Sequence, residues 1–400
     1  MKLKGEKMNT NRHFLIKNSW SRLILLMIFI GVIGFFLMDR MKKEPILIGF
    51  AAQLTGKQAE LGVQERNGAL LAVETMNASG GIDGRKIEMI IRDDFGIPEK
   101  AKDANRKLIE SGVIAIIGHA TSEQTMAGLG VTNPAKVVMI GPSVSTPELS
   151  GLDDYFFRVY PSFKESAQAF AQYIYRRRGI TRLAVIYDSD NTTYAKTYST
   201  TFAEKFRDMG GNITGEVSFS SKVQPNFTPL LSRLCEDNGE GLLIIASDID
   251  TALIAQRTRI MDWEIPLFTS SWSPTENLIN IGGQAVEGIE FEQAYSRASQ
   301  SPTFLDFQFR YQKRFGHDPS FGAGLAYDAA MVLAAAMEKT GGKPEGLRQA
   351  LMEIRDFQGV IDTFSFDQYG DVQRPFYLCT VRNGKFVILD KLTLDKSGGE

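Results

Sequence analysis

The run Val113-Ile114-Ala115-Ile116-Ile117-Gly118 constrains this chain more than any other segment. Six successive residues without a polar side chain give water neither face of a strand. Such a strand must be covered on both sides, as in a parallel sheet between layers of helices. Its neighbours repeat the theme. Pro45 to Phe50 reads as a buried strand, and Gly62 to Asn77 as a helix with Ala69, Leu70, Ala72, Val73 and Met76 on one side. Gly80-Gly81 stops that helix. Lys86 to Ile91 follows as a strand, Pro98 to Ser111 as a helix and Val137 to Ile140 as a further strand. Alternation of this kind with short connections predicts a doubly wound parallel sheet.

The alternation then starts again. Helices are predicted over Ser166 to Arg178, Tyr198 to Met209 and Phe227 to Glu236, and strands over Arg182 to Tyr187, Asn212 to Phe219 and Gly241 to Ala246. Near the end, Asn383-Gly384 marks a hairpin turn between strands. The fold class is therefore α/β, with two doubly wound, Rossmann-like lobes related by architecture and not by a copied repeat. A length of 400 residues with 43% hydrophobic and 23% charged side chains supplies core enough for two such units.

Charge excludes one class of partner. With 45 basic against 47 acidic side chains the net charge is −2, which leaves no broad basic surface for following phosphates, so nucleic acid is not expected. The N-terminus stands apart: residues 1–22 are basic, and Leu23 to Met38 is uncharged and apolar. At about 1.5 Å per residue this run reaches about 24 Å, short of the roughly 30 Å hydrocarbon core but within reach if Arg22 and Arg40 snorkel. It reads as a transmembrane anchor or an export signal. The end of the run lacks a small-x-small cleavage spacing, which favours the anchor. No cysteine follows it, so a lipid-modified N-terminal cysteine is excluded. Cys235 and Cys379, the only two, read as free thiols more readily than as a disulfide.

Open α/β sheets bind ligands beyond the carboxyl ends of their strands. Two loops there are rich in hydroxyls, His119-Ala120-Thr121-Ser122 and Gly141-Pro142-Ser143-Val144-Ser145-Thr146. Ser122 and Ser145, beside helix-opening N–H groups, suit a carboxylate, while plain N-capping explains each serine equally well. Phosphate-loop and dinucleotide fingerprints do not occur, and His13, His119 and His317 lack ligand-spaced partners, so neither a metal nor a cofactor is implied. Asp93-Asp94 reads as loop or cap chemistry, and Arg176-Arg177-Arg178 as the basic end of a helix.

A set of short strings, taken in order, resembles the leucine/isoleucine/valine-binding proteins of ABC importers, which have the periplasmic binding protein type I fold. They are Leu54-Thr55-Gly56, Asn77 to Lys86, Asp93-Asp94, Ile117-Gly118-His119, Phe157 to Ser162, Ala326 to Ala330, and Phe366-Asp367 with Gly370-Asp371. The resemblance runs from Ile46 to Leu389. It implies a binding protein rather than an enzyme, with crossings between lobes near Pro161, Phe291 and Phe357. Lobe 1 then holds residues 45–161 and 292–357, lobe 2 holds 162–291 and 358–394, and 395–400 is a tail.

For the site, the resemblance implies that Ser122 and Ser145 hold a ligand carboxylate with the backbone at Ser143. Tyr194 then helps hold an ammonium, and Leu61 stands where the family often has an aromatic wall. The chain departs from the family at Ser270-Ser271-Trp272-Ser273, where an acidic residue pairs with the ammonium in the branched-chain binders. Asp248, one strand away, either supplies that anion or caps a helix. Two functions are implied. One is an extracytoplasmic protein capturing an amino acid or related small carboxylate for an ABC permease. The other is a membrane-anchored sensor signalling through a partner.

Overall fold

The computed structural model describes residues 27–28, 43–223, 225–295, 301–360 and 362–395. The chain divides into two units, 1–45 and Ile46–Glu400, and every strand belongs to the second. The basic segment 1–22, most of the apolar run 23–38 and residues 396–400 of the tail lie outside the described residues.

The first sheet contains β1 (Ile46–Ala52), β2 (Ile87–Asp93), β3 (Ala115–Gly118), β4 (Val138–Gly141) and β5 (Phe156–Arg158), in the spatial order β2-β1-β3-β4-β5. Every pairing in it is parallel, with Phe50 of β1 opposite Ile91 on one side and Ile117 on the other. Strand order reverses between β1 and β3, the position at which a doubly wound sheet opens a crevice at its carboxyl edge. Ala115, Ile116 and Ile117 are wholly buried, because helices cover both faces of β3 as its unbroken apolar sequence requires.

The second sheet repeats the order. It contains β6 (Arg182–Asp188), β7 (Asn212–Phe219), β8 (Gly241–Ile245), β9 (Leu267–Thr269) and β10 (Glu290–Gln293), arranged β7-β6-β8-β9-β10 and all parallel. After a two-stranded ribbon, β11 (Phe357–Gln358) with β12 (Thr363–Phe364), the chain returns to this sheet as β13 (Phe376–Arg382) and β14 (Lys385–Leu392), both antiparallel. Their hairpin turns at Asn383 and Gly384, with φ of 53° and 65°, the left-handed pair that an Asn-Gly turn supplies.

The 20-residue helix Phe321–Thr340 packs along the 19-residue helix Glu60–Ala78 over the first sheet. Their approach depends on Gly68, where a Cβ would lie 2.0 Å from the carbonyl oxygen of Ala323. Among the described residues Phe321–Thr340 alone is long and apolar enough to cross a membrane, and it is a buried core helix.

Two expectations need correction. The third passage between lobes falls near Arg374, not near Phe357. Val360, Phe364, Phe366 and Val372 belong to the core of the first lobe. A buried ion pair fixes them there, Arg374 Nη2 lying 3.1 Å from Asp328 Oδ2 on the long helix, while Asp328 Oδ1 accepts from the N–H of Val360 at 2.7 Å. The helix expected from Tyr198 runs from Thr192 to Asp208 and so opens beside the cleft. Cys235 and Cys379 are free thiols.

Candidate ligand-binding site

The carboxyl ends of the two sheets meet over a small cavity. β3 delivers Ala120, Thr121 and Ser122 to it, and β4 delivers Ser143 and Ser145. Leu61, in the first turn of Glu60–Ala78, and Phe321, at the start of the long helix, close that side. From the second lobe come Asn191 and Tyr194 after β6, and Ser271 and Trp272 after β9. Tyr160, in the first passage between lobes, completes the wall and accepts a hydrogen bond from the N–H of Ala294 at 3.1 Å.

Ser122 opens the helix Ser122–Thr132 but is not its cap. Thr121 holds the N-cap position, with φ of −124° and ψ of 154°, and its side chain accepts no bond from the helix. Among the described residues neither the Ser122 nor the Ser145 hydroxyl has a hydrogen-bond partner, although each residue is only 2% exposed. Two hydroxyls lining the cavity, that of Ser122 at a helix N-terminus and that of Ser145 after β4, are suited to receive an anionic group.

Ser143 is committed differently. Its hydroxyl meets Glu65 and lies 3.0 Å from the carbonyl oxygen of Ala120. Burial pushes the Glu65 carboxyl up to about 8, with the Ser143 hydrogen bond pulling the other way and nearby Asp94 adding to the rise. The Ser143 hydroxyl is the donor in both contacts, toward the Glu65 carboxyl and toward the carbonyl of Ala120. The hydroxyl is used inside the lobe.

On the facing wall the Tyr194 hydroxyl is 3.3 Å from Ser271 Oγ, and its ring meets Trp272 edge-on at 5.7 Å. Six of the seven residues singled out in the sequence thus line one cavity: Leu61, Ser122, Ser143, Ser145, Tyr194 and Trp272. Asp248 does not. It begins the helix Asp248–Ile260, and its carboxylate accepts the Thr275 hydroxyl at 2.5 Å and the N–H of Ile249 at 2.8 Å. That use within the second lobe corrects its reading as an anion facing the cleft. Sequence reasoning missed Tyr160, Asn191, Ser271 and Phe321. Two lay inside strings already quoted, and only the fold turns them inward.

A second, more polar chamber lies beyond Thr121, Asn191 and Trp272. Around it the lobes bind one another. Lys57 forms an ion pair with the fully buried Asp250, and Gln58 Nε2 lies 3.3 Å from acceptors on Asp188, Ser247 and Asp250. Thr146 donates to the carbonyl of Thr193 at 3.1 Å, and Thr197 to Glu148 at 2.9 Å. The cavity is consequently walled from both lobes. Among the described residues no group of three or more His, Cys, Asp or Glu side chains is arranged to hold a metal ion.

Two doubly wound lobes closed over one hydroxyl-lined cavity define a two-lobed solute-binding protein. A family model described as periplasmic binding protein matches residues 45–385, and the chain belongs to that family. It is 25% identical over 339 residues, 83% of this chain and 88% of the relative, to a leucine-, isoleucine-, valine-, threonine- and alanine-binding protein of Pseudomonas aeruginosa. Among solved structures it is similar to a branched-chain amino acid transporter substrate binding protein of Streptococcus pneumoniae in complex with isoleucine. The TM-score is 0.80, the identity 25%, and the likeness covers 86% of this chain and 99% of that one. A leucine binding protein of Thermotoga maritima gives 0.80 at 26% identity, covering 87% and 99%. Family membership implies a periplasmic or extracytoplasmic location.

Proposed function

We propose that the chain captures an amino acid or related small carboxylate between its lobes, outside the cytoplasmic membrane, and delivers it to the permease of an ABC importer. The observation that carries this reading is the pair of cavity-lining serines, Ser122 at the opening of a helix and Ser145 after β4. In this reading they hold the ligand carboxylate with the backbone at Ser143. Tyr194, Trp272 and Leu61 wall its remainder. The chain acts by binding and release, with no turnover of the ligand. Relatives that are named as amino-acid-binding proteins support the class. Calorimetric titration with amino acids and simple carboxylates, repeated on Ser122→Ala and Ser145→Ala, tests the site. Capture of a permease in a detergent pull-down tests the delivery.

The N-terminal segment favours a second reading. An apolar run from Leu23 to Met38 behind a basic tail, with no following cysteine for lipid, fits a retained anchor. A tethered module that reports its ligand to a signalling partner has the same pocket and different downstream contacts. Intact mass of the membrane-extracted protein decides retention, since a mature chain starting near Asp39 removes the anchor. The captured partner then separates transport from sensing.

A further inference from the structure

The cavity is lined by hydroxyl, amide, aromatic and aliphatic groups with no ionised side chain among them, while the charged Lys57, Asp190 and Lys222 line the neighbouring chamber. One carboxyl stands directly behind the second-lobe wall. Glu292, on β10, is wholly buried, and its Oε1 accepts the N–H of Ser271 at 3.4 Å. Among the described residues its Oε2 has no hydrogen-bond partner. Because the Ser271 hydroxyl is 3.3 Å from that of Tyr194, a line of polar atoms runs from the cavity wall back to Glu292.

The groups that face Glu292 are all neutral at pH 7. They are Tyr194 and Tyr198 on the helix Thr192–Asp208, Tyr160 in the first passage, Ser271 after β9, and Cys379 on β13. No cation is among them. Burial pushes the Glu292 carboxyl up to about 8, and the donors around it recover only part of that rise. Glu65 behind the opposite wall is in the same condition, with Oε2 also unpartnered. An ammonium brought into this cavity would lose its hydration without meeting an ionised partner, which is costly. A carboxylate meets two free hydroxyls and a helix N-terminus.

We infer that the cavity selects small monocarboxylates that carry no ammonium group, and that Glu292, acting through Ser271, is the positioning residue for this choice. The inference rests on the reading of Ser122 and Ser145 as carboxylate holders and narrows the ligand class within it. It places specificity on a strand rather than in the loop at Trp272.

The test compares probes that differ by the ammonium alone. Leucine against 4-methylpentanoate, and phenylalanine against 3-phenylpropanoate, are titrated calorimetrically at about pH 6.5, where Glu292 is protonated. Each acid is expected to bind at least about tenfold more tightly than its amino acid, corresponding to about 1.4 kcal/mol. Glu292→Gln cannot ionise, so it reports on the charge of the carboxyl alone. Raising the pH to about 9 should weaken the acids in the wild type, through repulsion by the ionised Glu292, and weaken them less in E292Q. Tighter binding of the amino acids, with E292Q losing them about tenfold or more, overturns the inference and leaves the serine cradle standing. If neither member of either pair binds, the cradle falls with it. The wild-type comparison decides even if E292Q does not fold.

Discussion

Glu123 and Asn191 cap each other's helices across the cleft. Asn191 Oδ1 accepts the N–H of Glu123 at 3.3 Å, and the Glu123 carboxylate accepts the N–H of Thr193 at 3.0 Å together with its hydroxyl. The first turn of a helix always leaves N–H groups without partners inside the helix. Here each lobe supplies the acceptor that the other lacks, so helix capping is completed by the meeting of the lobes. Glu123→Ala should therefore favour separated lobes. With a cap worth about 1 kcal/mol, affinity for a bound carboxylate is expected to fall about fivefold, and small-angle scattering of the empty protein should show a larger radius of gyration. An unchanged radius and affinity would refute this.

The cradle serines separate binding from folding. Each Ser→Ala change removes a hydrogen bond to a charged group, worth about 1.5 to 3 kcal/mol, so affinity should fall about 10-fold to 150-fold. Melting of the empty protein should hardly move, because neither hydroxyl bonds to any described residue. A lower melting temperature with intact affinity would instead mark the serines as structural.

Asp248→Ala should behave in the opposite way. Its carboxylate holds Thr275 and the N–H of Ile249 within the second lobe. Removing it is expected to cost about 1 to 3 kcal/mol of stability, read as a lower denaturation midpoint, while ligand affinity stays put. Loss of affinity without loss of stability would return Asp248 to the cleft.

Glu65 and Glu292 set a pH dependence. Burial raises both carboxyls from 4.5 to about 8 in the folded chain. Between those values the folded state holds protons that the unfolded state has released, so stability falls as the pH rises. The contribution of these two groups is greatest below about 4.5, declines between the two values and levels off above about 8. Chemical denaturation across this window should show the decline in the wild type and a flatter curve in the E65Q/E292Q double variant. Equal slopes in the two proteins would remove both residues from the account.

The layered fold was legible because buried parallel strands leave an apolar trace that no surface segment imitates, as at Val113 to Gly118. Short pieces were not. β5 is three residues long and carries Arg158, whose buried guanidinium is held by Asp371 at 2.7 Å, a contact between residues 213 positions apart in the sequence. The helix at Thr192 opens with two β-branched residues, which weakens the helical signal until apolar spacing resumes at Tyr198. Ser122, Ser145 and Trp272 could be found because they follow strands. Glu292 could not: in Glu290-Phe291-Glu292 alternation turns the acidic side chains toward water, and only the pairing of β10 with β9 on one side and β13 on the other buries them.

The late third passage has a mechanical consequence. Arg374 is bound to the first lobe through Asp328, and Phe376 is already paired in β13 opposite Leu392. Between a residue clamped to Asp328 and a residue paired in the second sheet stands Pro375, and its ring fixes φ near −65°. Relative rotation of the two bodies must there be absorbed by ψ of Pro375 and the torsions of its immediate neighbours. A connection that short leaves few torsions about which the two sheets could turn at this point.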